Sequence, residues 1–249
     1  MRAAAHEQDP HLTLAAEGAT APLTGPTSDR ATTASAMAKT TKSKRGAKPE
    51  HVFQLLVVLP RTDPLVWRRI QVPEGYSFWD LHVAIQDAMG WQDSHLHEFV
   101  VVDAKHERVK RIGIPDEEMP EERPCLAGWK VPIAQYLTYG TDPVRYRYDF
   151  GDDWEHVLDF EELLPADEGT YPRCVAGAGA CPPEDVGGPR GYAEFLQTLA
   201  DPRHPERPAM LEWAGGSFDP HAFCPEAVRF DDPAERWKMA FQDNSAAGS

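Results

Sequence analysis

Three short stretches of the chain carry side chains able to hold a cation or move a proton. The first has His95 and His97, the second Asp149, Asp152 and His156, and the third Cys174, Cys181, Glu184 and Asp185. Imidazole and carboxylate together suit a divalent ion such as zinc, with bonds of roughly 2.0–2.2 Å. On a strand, residues i and i+2 share a face, so His95 and His97 are expected to project together. Asp149 and Asp152 flank Phe150-Gly151, where a chain bend brings two carboxylates near one point, and His156 lies on the same hairpin. The candidate metal set is therefore His95, His97, Asp149, Asp152 and His156, structural or hydrolytic in role, and it requires these side chains to converge.

Each piece has a plainer reading. His-x-His on a strand also serves as a hydrogen-bonded surface pair, and Asp-Phe-Gly-Asp as a turn in which Asp and Gly answer backbone needs. Asp-Phe-Gly is also a kinase tripeptide, but no Gly-rich loop, strand lysine or His-Arg-Asp segment accompanies it. Cys174 and Cys181 are separated by six residues, wider than the usual spacing of about two to four in structural zinc sites. They read as reduced thiols on a Gly-rich loop. Cys181-Pro-Pro-Glu-Asp185 either closes over a site or caps the helix that follows. Nucleophile-elbow, metalloprotease and Walker motifs are missing from the sequence.

The elements that must position these groups follow from periodicity. Val52 to Leu59 is a continuous apolar run and Val66 to Val72 an alternating one, which predicts two strands joined by an antiparallel turn. Ser77 with Asp80 forms a near capping box, Phe78, Leu81, Ile85 and Met89 recur at helical spacing, and Gly90 ends the helix. His95 to Asp103 predicts a third strand. Residues 104–125, charged and with three prolines, predict a mobile excursion. Ile133 to Leu137 reads as a short helix. Val144 to Phe150 and Trp154 to Phe160 form a hairpin. Residues 165–191 predict a long loop, Tyr192–Leu199 and Arg207–Trp213 short helices, and a further one follows Pro225. The expected fold is α+β, a mixed and mostly antiparallel sheet packed by helices. Its domain spans 50–230, with a disordered basic tail at 1–49 and a fraying tail at 231–249.

Charge narrows the partners. Residues 1–49 hold seven Lys/Arg against four Asp/Glu, the remainder eighteen against thirty-six, so the body is strongly acidic within a net −15. Such a body repels a phosphate backbone, which disfavours direct nucleic-acid binding by the domain and favours a cation or a basic partner. Four cysteines and no apolar run long enough for a membrane span point to a cytoplasmic protein with reduced thiols and no membrane partner.

Several blocks resemble the plasmid pRiA4b ORF-3-like family, whose members often carry the label of an insertion-element passenger protein, TnpR. They are Pro64-Leu-Val-Trp-Arg-Arg-Ile-Gln-Val-Pro73, Leu81-His82 with Met89-Gly-Trp-Gln-Asp-Ser-His-Leu-His-Glu-Phe99, and Tyr148-Asp-Phe-Gly-Asp-Asp-Trp-Glu-His156. Tyr171-Pro-Arg-Cys174, Cys181-Pro-Pro-Glu-Asp-Val-Gly-Gly-Pro-Arg-Gly-Tyr192 and Phe218-Asp-Pro220 follow in order. The resemblance implies an α+β domain without an established activity, and nothing here is similar to a serine-recombinase catalytic region. Three functional readings stand. The first is a non-catalytic binding or interaction module for an unknown protein or small ligand. The second is a divalent-metal-binding protein, and the third a mobile-element nucleic-acid accessory acting through the basic tail.

Overall fold

A computed structural model describes residues 48–103, 108–115 and 124–241; the basic tail, and with it the nucleic-acid reading, lies outside them. Strand β1 (His51–Leu59) is apolar on both faces because it lies inside the sheet, flanked by β2 (Val66–Pro73) and β7 (Trp154–Pro165), both antiparallel to it. Helix α1 (Phe78–Met89) begins at Ser77, whose hydroxyl accepts from the Asp80 backbone N–H while the Asp80 carboxylate takes the Ser77 N–H. It ends at Gly90, whose φ of 92° suits a residue without Cβ. Next come β3 (His97–Asp103), β4 (Arg108–Gly113), β5 (Cys125–Ala127), β6 (Val144–Tyr148) and β8 (Arg173–Ala178). The eight strands lie in the order β5-β4-β3-β6-β7-β1-β2-β8. Every pairing is antiparallel except β4 with β5. Helices α2 (Gly188–Ala200), α3 (Arg207–Trp213) and α4 (Pro233–Phe241) complete the domain.

The core forms where the apolar stripe of α1 meets the sheet. Phe78, Leu81 and Ile85 pack with Leu55, Ile70, Phe99 and Leu158, all fully buried. Each such side chain contributes roughly 1.5–3 kcal/mol by leaving water. The expected mixed α+β architecture is the observed one.

Three expectations need correction. The excursion at 104–125 contains β4 and runs into the start of β5 at Cys125; the segments 104–107 and 116–123 lie outside the described residues. Strand β4 escapes a propensity reading because its sequence, Arg-Val-Lys-Arg-Ile-Gly, is half cationic, and its inward residue is Ile112 while Arg111 pairs with Glu98. The loop at 165–191 contains β8, a sheet-edge strand of small residues. The small size at Gly177 is required, since a Cβ there would lie 2.4 Å from the Phe223 ring. Fraying does not begin at 231 either. Pro233–Phe241 is helical because Trp237 and Phe241 pack against Trp79 and Trp129.

Candidate functional site

Three segments meet beyond the end of α1: the chain from Trp91 to Leu96, the β6–β7 turn from Asp149 to Asp153, and the loop from Cys181 to Gly187. Trp91 is their floor. It is buried, stacks on Tyr148 at 5.1 Å and donates its indole N–H to the Pro182 carbonyl at 2.9 Å. The Tyr148 hydroxyl accepts from the Ser94 N–H at 3.0 Å and donates to Glu184 Oε1 at 2.5 Å; Glu184 Oε2 also accepts from the Gln92 N–H. Burial, reinforced by that carboxylate, holds the phenol protonated well beyond its usual range. Asp152 Oδ2 receives the Gly187 N–H at 3.0 Å. The Pro-Pro-Glu-Asp loop is thus fastened across the junction, closing over it.

At the rim, His95 Nε2 lies 3.0 Å from Asp185 Oδ1 and 3.6 Å from Asp149 Oδ2, and one donor atom from each residue falls within 4.8 Å of the other two. Donors bound to a tetrahedral ion at about 2.0–2.1 Å stand roughly 3.3 Å apart, so both separations suit shared coordination. Asp149 is held from behind, its Oδ1 accepting the N–H groups of Gly151 and Asp152, which leaves Oδ2 toward His95. The side chains are 31%, 12% and 69% exposed for His95, Asp149 and Asp185, so the group opens to solvent on the Asp185 side. Asp93, Asp149, Asp153 and Asp185 are the non-glycine residues with positive φ among those described. Backbone held in this uncommon region gathers where function demands it.

The five-residue set expected from the sequence does not converge. His95 and Asp149 meet, joined by Asp185 rather than Asp152, whose carboxylate is engaged with the α2 entry loop. His97 points into the core, because β3 begins at His97 and the i, i+2 rule does not extend to His95 before it. There its ring stacks on His82 at 3.4 Å with 12° between planes. His156 is also buried, between Trp91 and Tyr146, with Nδ1 3.3 Å from the Tyr146 carbonyl.

His82, Asp93 and His97 form a second donor group, which sequence reasoning missed. The available signal was a histidine on the apolar stripe of α1, where burial demands partners. His82 Nε2 faces Asp93 Oδ1 at 2.9 Å and its Nδ1 the Tyr146 hydroxyl at 2.8 Å, while Gln86 Nε2 donates to that same hydroxyl. With Asp93 ionised, the consistent assignment has His82 donate to Asp93 through Nε2 and accept the Tyr146 proton at Nδ1. Imidazole lone pairs lie in the ring plane, so two rings stacked face to face cannot both aim at one ion. Asp93, His82, Tyr146 and Gln86 form a buried hydrogen-bond relay, against which the His97 ring is stacked. Neither donor group contains a cysteine. Burial pushes the Cys174 and Cys181 thiols up, away from the thiolate form.

The loop closure depends on Gly188. A Cβ there would meet the Asp152 carbonyl oxygen at 2.2 Å, and its φ is 68°. Gly188→Ala is expected to lower stability by about 1–3 kcal/mol, or a Tm several degrees lower, which a thermal melt measures. A melt within about a degree of wild type would show that the turn and loop yield freely.

With fold and junction defined, the chain belongs to the plasmid pRiA4b ORF-3-like protein family, whose sequence model matches residues 51–227. It is similar to the uncharacterized protein y4hQ of Sinorhizobium fredii, with 40% identity over 189 residues, 75% of this chain and 94% of the relative. It is also similar to a crystal structure of MM3350, a protein of unknown function from Methanosarcina mazei. That match has 41% identity and a TM-score of 0.68 over 74% of this chain and 100% of the other. Among the described residues, no helix is long and apolar enough to cross a membrane.

Proposed function

We propose that the protein is a non-catalytic binding module whose site takes a divalent cation, zinc being the best fit, through His95, Asp149 and Asp185. The observation that carries this reading is the approach of His95 Nε2 to two carboxylates from separate chain segments, at 3.0 and 3.6 Å. One imidazole and two carboxylates leave a coordination position toward solvent, where a small ligand or a side chain of a partner protein completes the shell. The acidic body raises the local concentration of cations. A binding role accords with the thiols Cys174 and Cys181, which burial keeps protonated and so poor nucleophiles.

Elemental analysis and zinc titration calorimetry test the reading. Wild type should take up one equivalent, and His95→Ala and Asp149→Asn should each weaken binding by at least about tenfold. Asn is apt at 149 because it tolerates positive φ and still accepts the turn N–H groups. His156→Asn, away from the rim, should leave affinity unchanged. Absence of metal uptake, or uptake indifferent to His95 and Asp149, overturns the proposal.

A further inference from the structure

Helix α4 lies beyond the family match, which ends at residue 227, and it is built unlike the rest of the domain. None of its residues is buried, and it meets the body through a few large side chains. Trp237 packs edge-on against Trp79 at 5.2 Å and against Trp129 at 4.4 Å, and Phe241, one turn on, reaches both rings at 5.4 and 5.7 Å. The Trp79 indole N–H donates to the Pro233 carbonyl at 3.0 Å. Arg236 enters an acidic notch on the flank of α1, with Nη2 2.8 Å from Asp87 and 2.6 Å from Asp231 and Nη1 3.4 Å from Asp93.

Tryptophan and arginine are the residues that dominate binding energy at protein interfaces. A helix of nine residues is too short to persist alone in water, so α4 is helical because it is seated. An amphipathic helix laid in a groove through side chains one turn apart is a recurrent mode of peptide recognition. The seat is complementary to such a helix in charge as well as shape: an aromatic wall of Trp79 and Trp129 beside the carboxylates of Asp87 and Asp93. The seat lies within the residues that the family model matches, and its occupant lies beyond them.

We infer that the outer face of α1 is a docking groove for a cationic, aromatic helix of a partner protein, and that α4 occupies it in cis as a displaceable strap. The partner carries an arginine followed by aromatic residues at the next position and one turn beyond, the pattern of Arg236, Trp237 and Phe241. Displacement bares Trp79 and frees Asp87 and the Oδ2 atom of Asp93, whose Oδ1 stays with His82.

A fluorescein-labelled peptide of residues 231–241, added in trans to the full chain, tests this by anisotropy. Wild type should bind it weakly, because α4 competes. Arg236→Ala should release the strap and bind the peptide at least about tenfold more tightly, and adding Asp87→Asn to that variant should abolish the gain. Since Arg236→Ala leaves Asp87 facing Asp231 without a cation, Trp237→Ala serves as a second release variant whose acidic notch is intact. Equal affinity for wild type and for whichever release variant remains folded by circular dichroism overturns the inference, as does binding that ignores Asp87.

Discussion

Acidification below about pH 6.5 is expected to destabilise this protein steeply, before most of its carboxylates are titrated. His156 is wholly enclosed, and burial lowers its pKa from 6.5 to about 3; the neighbouring Tyr146 and Trp154 backbones oppose this but do not overcome it. His97 is driven well below 6.5 by burial, with repulsion from His82 adding to it. The sign follows from linkage. Both groups are neutral in either state above pH 6.5 and leave stability unaffected. Below it the unfolded chain takes up protons that the native fold refuses, so stability falls as pH falls. Each such histidine removes about 1.4 kcal/mol per pH unit while its native form stays neutral, so His156 alone accounts for roughly 3 kcal/mol two units down, and His97 adds in the same direction. That is a large share of the whole stability of many domains, about 5–15 kcal/mol. Asp87, raised chiefly by burial, and Asp159, raised by burial and Glu161, act in the opposite sense at lower pH. Urea unfolding between pH 7 and 4.5 measures the effect. The slope should fall by about half in His156→Asn, which keeps a donor near the position of Nδ1. Stability that stays level to pH 5, or a slope unaltered by the substitution, defeats the account.

Where a residue's role is set within its own element, its type announces it. The run from Val52 to Leu59 must lie inside a sheet, Ser77 and Asp80 must start a helix, and Gly90 must end one. The Val144–Phe150 and Trp154–Phe160 pair must fold as a hairpin about Asp149 to Asp153. Roles set between elements are silent. His95 and His97 look like one pair, yet the strand edge falls between them, and Leu96 is already bonded to Asp149 through its carbonyl. Asp185 was visible as an acid on a stiff loop, but its approach to His95 depends on Trp91 gripping Pro182 and Tyr148 gripping Glu184. No local pattern encodes those contacts. Strand β8 was hidden because its stability comes from pairing with β2 and from Phe223 lying over Gly177, not from residues with strand preference.

Arg68 and Arg69 give the sharpest contrast in expected effect. They are neighbours on β2, and Arg69 makes an ion pair, a two-pronged bond to Glu161 on the β7 extension at 2.8 and 2.9 Å. Arg68 is 1% exposed and, among the described residues, pairs with no carboxylate. Its Nε donates to the Ala88 carbonyl at 2.9 Å, and Nη1 donates to the Trp67 and Ala178 carbonyls, while Phe223 lies 3.7 Å beneath the guanidinium. Ala88 is in the last turn of α1, where free carbonyls and the helix dipole favour a positive charge. One cation thereby joins the end of α1, the edge strand β8 and the C-terminal loop. Arg68→Met keeps the apolar stem but removes every donor, and it should cost about 3 kcal/mol or more, since charge-assisted bonds to buried acceptors are worth roughly 1.5–3 kcal/mol each and do not add fully. Arg69→Met, at a partly exposed pair, should cost about 1 kcal/mol. Urea unfolding of the two variants decides the matter, and equal losses would remove Arg68 from this central role. The asymmetry follows from alternation along β2. Val66 and Ile70 are wholly buried on one face, so the residue midway between them faces the core as well, whatever its charge.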